Sequence, residues 1–188
     1  MHDNALAAAL IRAKQDVALI PIYTPTRTDE SDVSIDHVFY GAVNVYLEQK
    51  SALFRHTPWL VDRMLNGRGL LDWASRQSGS VDARQLGELT LSMLEGEDGR
   101  QSKELDKLIA WLRDDFRPDV VNLPNSMLLG LAHELRDRLD VPVLCTLQGE
   151  DIFLEELEPP YRERVHEMLR RKARDASGFI ANSAYYVR

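Results

Sequence analysis

The chain has 188 residues, 44% of them hydrophobic and 28% charged, enough for one domain with a sizeable core. Its net charge of −7 argues against a nucleic-acid-binding surface, because phosphate contacts draw on a basic excess. No apolar run reaches bilayer length and no signal-peptide pattern opens the chain; the single cysteine, Cys145, excludes an internal disulfide and fits a reducing cytoplasm.

Residues 5–13 are expected to form a helix that Asp3 or Asn4 can cap, with Leu6, Ala9, Leu10 and Ala13 along one face and alanine opposite, a pattern that predicts burial. Residues 16–23 then read as a strand. Pro21 lacks an N–H and places that strand at an edge or at its own end. After a polar loop beginning Thr24-Pro25-Thr26, residues 33–40 read as a second short strand, stopped by Gly41.

No strand is expected between about residues 42 and 117. Helices are predicted over 43–54, 58–65, 70–74 and 82–94, the last carrying Leu86, Leu89 and Met93. Gly96 and Gly99 interrupt. Residues 101–116 form a strongly amphipathic helix with Leu105, Leu108, Ile109, Leu112 and Phe116 in register. A helical insertion this long exceeds ordinary connections between strands.

The remainder alternates. Residues 119–123 read as a strand, and Ser126 caps a helix bearing Met127, Leu131, Leu135 and Leu139. Residues 141–147 follow as a strand, Pro159-Pro160 opens a helix with Val165, Met168, Leu169 and Ala173, and residues 178–181 close as a strand. This is an α/β fold with a parallel sheet, flanking helices and a large helical insertion. A doubly wound sheet ordinarily opens with a strand, whereas here a helix comes first. The expectation is of a chain cut from a longer one, lacking the first strand, with further structure beyond Arg188.

Strands in such a sheet point the same way, and ligands gather beyond their carboxyl ends. The predicted ends carry Tyr23-Thr24-Pro25, Pro124-Asn125-Ser126, Gln148-Gly149-Glu150-Asp151 and Asn182-Ser183. Hydroxyls, amides and two carboxylates suit a polyhydroxylated ligand such as a sugar. Each residue also has an ordinary local use in a turn or cap, and for Glu150 and Asp151 that use is to cap residues 152–157. Adjacent carboxylates diverge, so one of the two at most reaches a substrate. The five histidines show no metal-ligand spacing, and no HExxH, GxGxxG, P-loop or GxSxG pattern occurs. No metal site is expected. The arginine-rich residues 161–175 also carry Glu163, Glu167 and Asp175, and read as a solvent face before a membrane-contact stripe.

Three segments, Arg117-Pro118-Asp119-Val120-Val121, Val141-Pro142-Val143-Leu144-Cys145-Thr146-Leu147-Gln148-Gly149-Glu150-Asp151 and Gly178-Phe179-Ile180-Ala181-Asn182-Ser183, resemble at these spacings the amino-terminal domain of a family 4 glycosyltransferase of the two-domain GT-B type. The resemblance implies a Rossmann-like domain that serves the acceptor. A carboxyl-terminal domain outside this chain would bind a nucleotide-sugar, and transfer in the cleft would retain anomeric configuration, typically without a bound metal. Many members carry His-Gly-x-Asp where this chain has Gln148-Gly149-Glu150-Asp151, so Gln148 can hydrogen-bond a hydroxyl but cannot exchange a proton. On this reading Gln148, Glu150 and Asp151 are the candidate catalytic groups. Thr24, Asn44, Lys50, Asn125, Ser126, Gly149 and Ser183 are the candidate substrate-binding residues. The expected partners are a sugar, lipid or small-molecule acceptor and the missing donor domain, with no nucleic acid; a homo-oligomer and peripheral membrane contact stay open. The alternatives are a Rossmann-like binding module that recruits a partner through its helical insertion without chemistry, and a phosphosugar-processing enzyme of the isomerase type.

Overall fold

The computed structural model describes residues 2–23, 25–26, 28–40 and 83–184. The chain divides into two compact units, Met1–Gly79 and Ser80–Arg188, each with its own internal packing.

In the first unit, helix α1 spans His2–Arg12. Asn4 does not cap it. It lies inside the helix, 1% exposed, where its Nδ2 donates to the Ser31 carbonyl at 3.0 Å and its Oδ1 accepts from Val33 N–H at 3.0 Å. Those bonds turn the Asn4 and Ala7 side inward, and Leu6, Leu10 and Ile11 stay exposed. The face expected from apolar spacing is therefore the wrong one, because a buried polar residue with long-range partners outweighs the leucines.

The two strands expected next appear as isolated parallel bridges, Leu19 with Ser34 and Ile22 with Phe39. The Leu19 and Pro21 carbonyls accept from Ile35 and Phe39, and Tyr23 N–H donates to the Phe39 carbonyl. Pro21 supplies an acceptor but no donor, which limits a regular ladder at that residue. Val38, Phe39 and Tyr40 are buried. The helices expected over 43–54, 58–65 and 70–74 lie outside the described residues.

The second unit opens with α2 (Ala83–Glu95), a 3-10 turn (Gly96–Asp98) and α3 (Ser102–Trp111). The described part of the expected insertion is therefore helical. On α2 the deepest side chains are Leu91 and Leu94 with the small Thr90 and Ser92, whereas the expected Leu86, Leu89 and Met93 are half-buried. On α3 the expected Leu105, Leu108 and Ile109 are buried, and Leu112 after it likewise. The helix then widens into a π turn, Leu112–Phe116, which stacks Phe116 on Trp111 with ring centroids 5.9 Å apart. Glu104, also fully buried, is neutralised by Lys107 one turn on at 2.5 Å. Arg117 in the left-handed region (φ 55°) ends the turn.

Three parallel strands follow: β1 (Val121–Leu123), β2 (Val143–Leu147) and β3 (Gly178–Ala181), in the order β1-β2-β3. Val121 faces Val143, Leu123 faces Cys145, and Cys145 faces Phe179. Between β1 and β2 run a 3-10 segment (Ser126–Leu131) and α4 (Ala132–Leu139). Between β2 and β3 run a short α5 (Asp151–Glu155) and α6 (Tyr161–Lys172). Alternate residues Leu123, Val143 and Cys145 are buried, as the period of a strand requires when helices cover one face. Leu128, Leu129, Leu131 and Leu135 supply the covering layer. The parallel sheet with its helices is the α/β, Rossmann-like arrangement expected from sequence.

Three close approaches fix the helical layer. A Cβ on Gly130 would collide with the Met93 carbonyl, and one on Gly96, whose φ is +65°, would collide with the Gly130 carbonyl. At Gly87 a Cβ would collide with the ring of Tyr161, whose hydroxyl donates to Glu88 at 3.2 Å. Glycine at these positions lets α2 lie against the 3-10 segment and α6. No helix among the described residues is long and apolar enough to cross a membrane.

Candidate functional site

All three strands run in parallel, so their carboxyl ends lie at one edge of the sheet. From β1 the chain continues into Pro124-Asn125-Ser126 and from β2 into Gln148-Gly149-Glu150. Asn125, not Ser126, is the cap: it is extended at φ −158° and its Oδ1 accepts from Met127 N–H at 3.1 Å. Its carbonyl accepts from Leu128 N–H at 3.3 Å.

After β2 the backbone turns sharply at Gly149, whose φ of +96° few other residues adopt. The turn carries Glu150 back toward both strand ends. One carboxylate oxygen, Oε1, accepts from Ser126 N–H at 2.7 Å; the other, Oε2, accepts from Gln148 N–H at 2.8 Å. In the opposite direction, Gln148 Nε2 donates to the Pro124 carbonyl at 2.8 Å. The two loops are cross-tied by a carboxylate from one side and an amide from the other. Glu150 is the residue before α5 but makes no side-chain cap to it, so the local capping role open to it in sequence is not the one it fills.

Burial alone would raise the Glu150 pKa. The N–H groups of Ser126, of Glu150 itself and of Gln148, with the Ser126 hydroxyl, outweigh that burial and hold the carboxyl below its ordinary value. Below the loop, Cys145 is buried and its thiol is pushed up to about 12, first by burial and then by the nearby Glu150 charge. It is a core thiol and no nucleophile at neutral pH. Thr146, 3% exposed, donates its hydroxyl to Asn122 Oδ1 at 2.9 Å. No sequence motif marks this pair. Its one signal is a pair of polar residues inside two otherwise apolar strands.

Gln148, Asn125, Ser126 and Glu150 are thus brought together, with Gly149 as their hinge and Asp151 opening α5. Gln148 is exposed, Asn125 and Asp151 half-buried. Ile152, beside Asp151, is the most exposed large apolar side chain among the described residues at 69%. Ser183 is exposed just past the end of β3. Thr24, Asn44 and Lys50 lie outside the described residues, as does the 58–65 segment on which the binding-module alternative turns.

Elsewhere, Glu97, His133 and Glu134 place ligand-type atoms within 4.8 Å of one another. Glu97 lies far along the chain from the adjacent His133 and Glu134, so spacing alone gives no hint of the trio. Arg136 sits 3.3 Å from His133 Nδ1 and Arg138 sits 3.5 Å from Glu134 Oε2, so cations of the chain itself already occupy part of the group. The Glu134 carboxylate, as acceptor of a hydrogen bond that only protonated Glu97 can donate and then through its charge, raises the Glu97 pKa.

A family model described as a glycosyl transferase 4-like domain matches residues 4–188. No curated protein and no solved structure matches the chain.

Proposed function

The chain belongs to the glycosyl transferase 4-like family, and from that premise we propose that it forms the acceptor side of an enzyme that moves a sugar from a nucleotide-sugar to an acceptor hydroxyl with retention. A second domain of the enzyme holds the nucleotide. Gln148 and Asp151 face the transferred sugar, and Thr24, Asn125 and Ser126 help hold the acceptor, itself a sugar, a lipid or another small hydroxylated molecule.

Transfer breaks the bond between the anomeric carbon and the nucleotide phosphate, which leaves with the bonding electrons, and forms one to the acceptor oxygen, whose proton passes to the departing phosphate. Positive charge develops on the ring in between, and a carboxylate held beside it lowers the barrier electrostatically. Asp151 supplies that carboxylate. Gln148 has no titrating group and acts by hydrogen-bonding a sugar hydroxyl, which orients the ring for attack.

The observation that carries this reading is the convergence of the loops after β1 and β2 into one polar cluster within a chain matched almost end to end by the family. The test is an assay of the full gene product with a panel of nucleotide-sugars, following nucleotide release and the anomer formed. Release with at least one donor and a retained anomer is expected. No transfer and no hydrolysis with any of them contradicts the proposal.

A further inference from the structure

We propose that Glu150 is a positioning residue that holds the Gln148 backbone against the loop of Ser126, and that it moves no proton during the reaction. The inference rests on the glycosyltransferase reading for what Gln148 does, but the geometry stands apart from it.

Three features point the same way. Each carboxylate oxygen already accepts a backbone N–H, from Ser126 at 2.7 Å and from Gln148 at 2.8 Å. A proton added there would replace an acceptor with a donor facing a donor. The two N–H groups belong to residues 24 positions from Glu150 in one case and two in the other, so the carboxylate is the link between separate strand ends. Gly149, at φ +96°, supplies the bend that lets the side chain turn back. Gln148 is gripped twice, at its N–H by Glu150 and at its Nε2 by the Pro124 carbonyl. A group held at two points keeps its orientation when the ligand arrives, which is what catalysis by positioning needs. Of the two adjacent acids, the sequence allows one at most to reach a substrate, and this geometry gives Glu150 the other task.

The experiment compares the full gene product with Glu150→Gln and Glu150→Asp. Amide hydrogen exchange at Ser126 and Gln148 reads the clamp without any reaction. Removing charge-assisted bonds raises exchange at one or both amides by about tenfold or more in Glu150→Gln, and Glu150→Asp, one methylene shorter, falls between. Unchanged exchange at both amides overturns the proposal. In the transfer assay, kcat per folded molecule falls by about tenfold or more in Glu150→Gln while the pH profile keeps its midpoints. Loss of a limb of that profile makes Glu150 a proton-transfer group, and an unchanged kcat makes it merely structural; either result overturns positioning. Should the parent protein process no donor, the glycosyltransferase reading fails, and the exchange data alone decide whether the clamp exists.

Discussion

The side-chain amide of Gln148 and the carbonyl of Pro124 meet at 2.8 Å, joining the first residue after β2 to the first residue after β1. The bond fixes the direction of a side chain that is otherwise exposed. Gln148→Ala removes the tie and the proposed sugar contact together. Transfer is expected to fall by about 10- to 100-fold, with little change in melting temperature because the residue is at the surface. Gln148→His brings in a group that titrates near neutrality, so the activity profile should gain a step at about pH 6.5. Steady-state kinetics across pH, with a thermal melt of each variant, checks both.

The depressed pKa of Glu150 links stability to pH. Its amide partners favour the charged form more than the unfolded chain does, so the contribution is complete above the ordinary glutamate value. It is lost as pH falls from that value through the lower folded one. Denaturant titrations of the parent and Glu150→Gln should therefore differ most at neutral pH and converge in acid. A gap that widens in acid would show the shift to have the opposite sign.

Gly130 passes against the backbone of Met93 and Leu94 with no room for a methyl group. Gly130→Ala should destabilise the second unit by about 1–3 kcal/mol, the usual cost of overpacking, or more, since the obstacle is backbone rather than a side chain. Leu135→Ala, at a side chain only 1% exposed, should cost about 2–5 kcal/mol by leaving a cavity. Chemical denaturation monitored by circular dichroism separates these from a surface control such as Asp137→Ala, expected within about 0.5 kcal/mol of the parent.

Cys145, buried beneath Glu150 with its pKa pushed up to about 12, should resist thiol reagents at pH 8. Labelling should accelerate by about 100-fold or more in denaturant, when the thiol regains an ordinary pKa and exposure. Because the folded thiol holds its proton more tightly than the unfolded one, stability from this group is complete below the unfolded value and declines as pH rises toward the folded one. Rapid native labelling would place the thiol at the surface.

Much of the second unit was legible in the sequence. The runs ending at Leu123, Leu147 and Ala181 are strands, and Leu105, Leu108 and Ile109 are core, because apolar period and burial coincide there. What escaped were polar groups whose partners are far along the chain. Asn4 looks like a cap by position, and only Ser31 and Val33 show why it is buried instead. Glu104 has its partner Lys107 only one turn on, and it is the packing of distant segments around the pair that buries it. At the candidate site, glycine and the polar residues after β2 marked the loop correctly, but the role of Glu150 depends on Ser126, 24 residues away. By residue type either Ser126 or Asn125 suits the cap, and the extended backbone of Asn125 decides for Asn125.

In the proposed function the loop after β1 holds the acceptor and the loop after β2 faces the transferred sugar. Hydrogen-exchange mass spectrometry of the full gene product, with and without a nucleotide-sugar that it turns over together with its acceptor, tests this most directly. Slower exchange in peptides covering residues 124–127 and 148–152 is the predicted result. Protection confined to other parts of the chain, with these two loops unchanged, would contradict it.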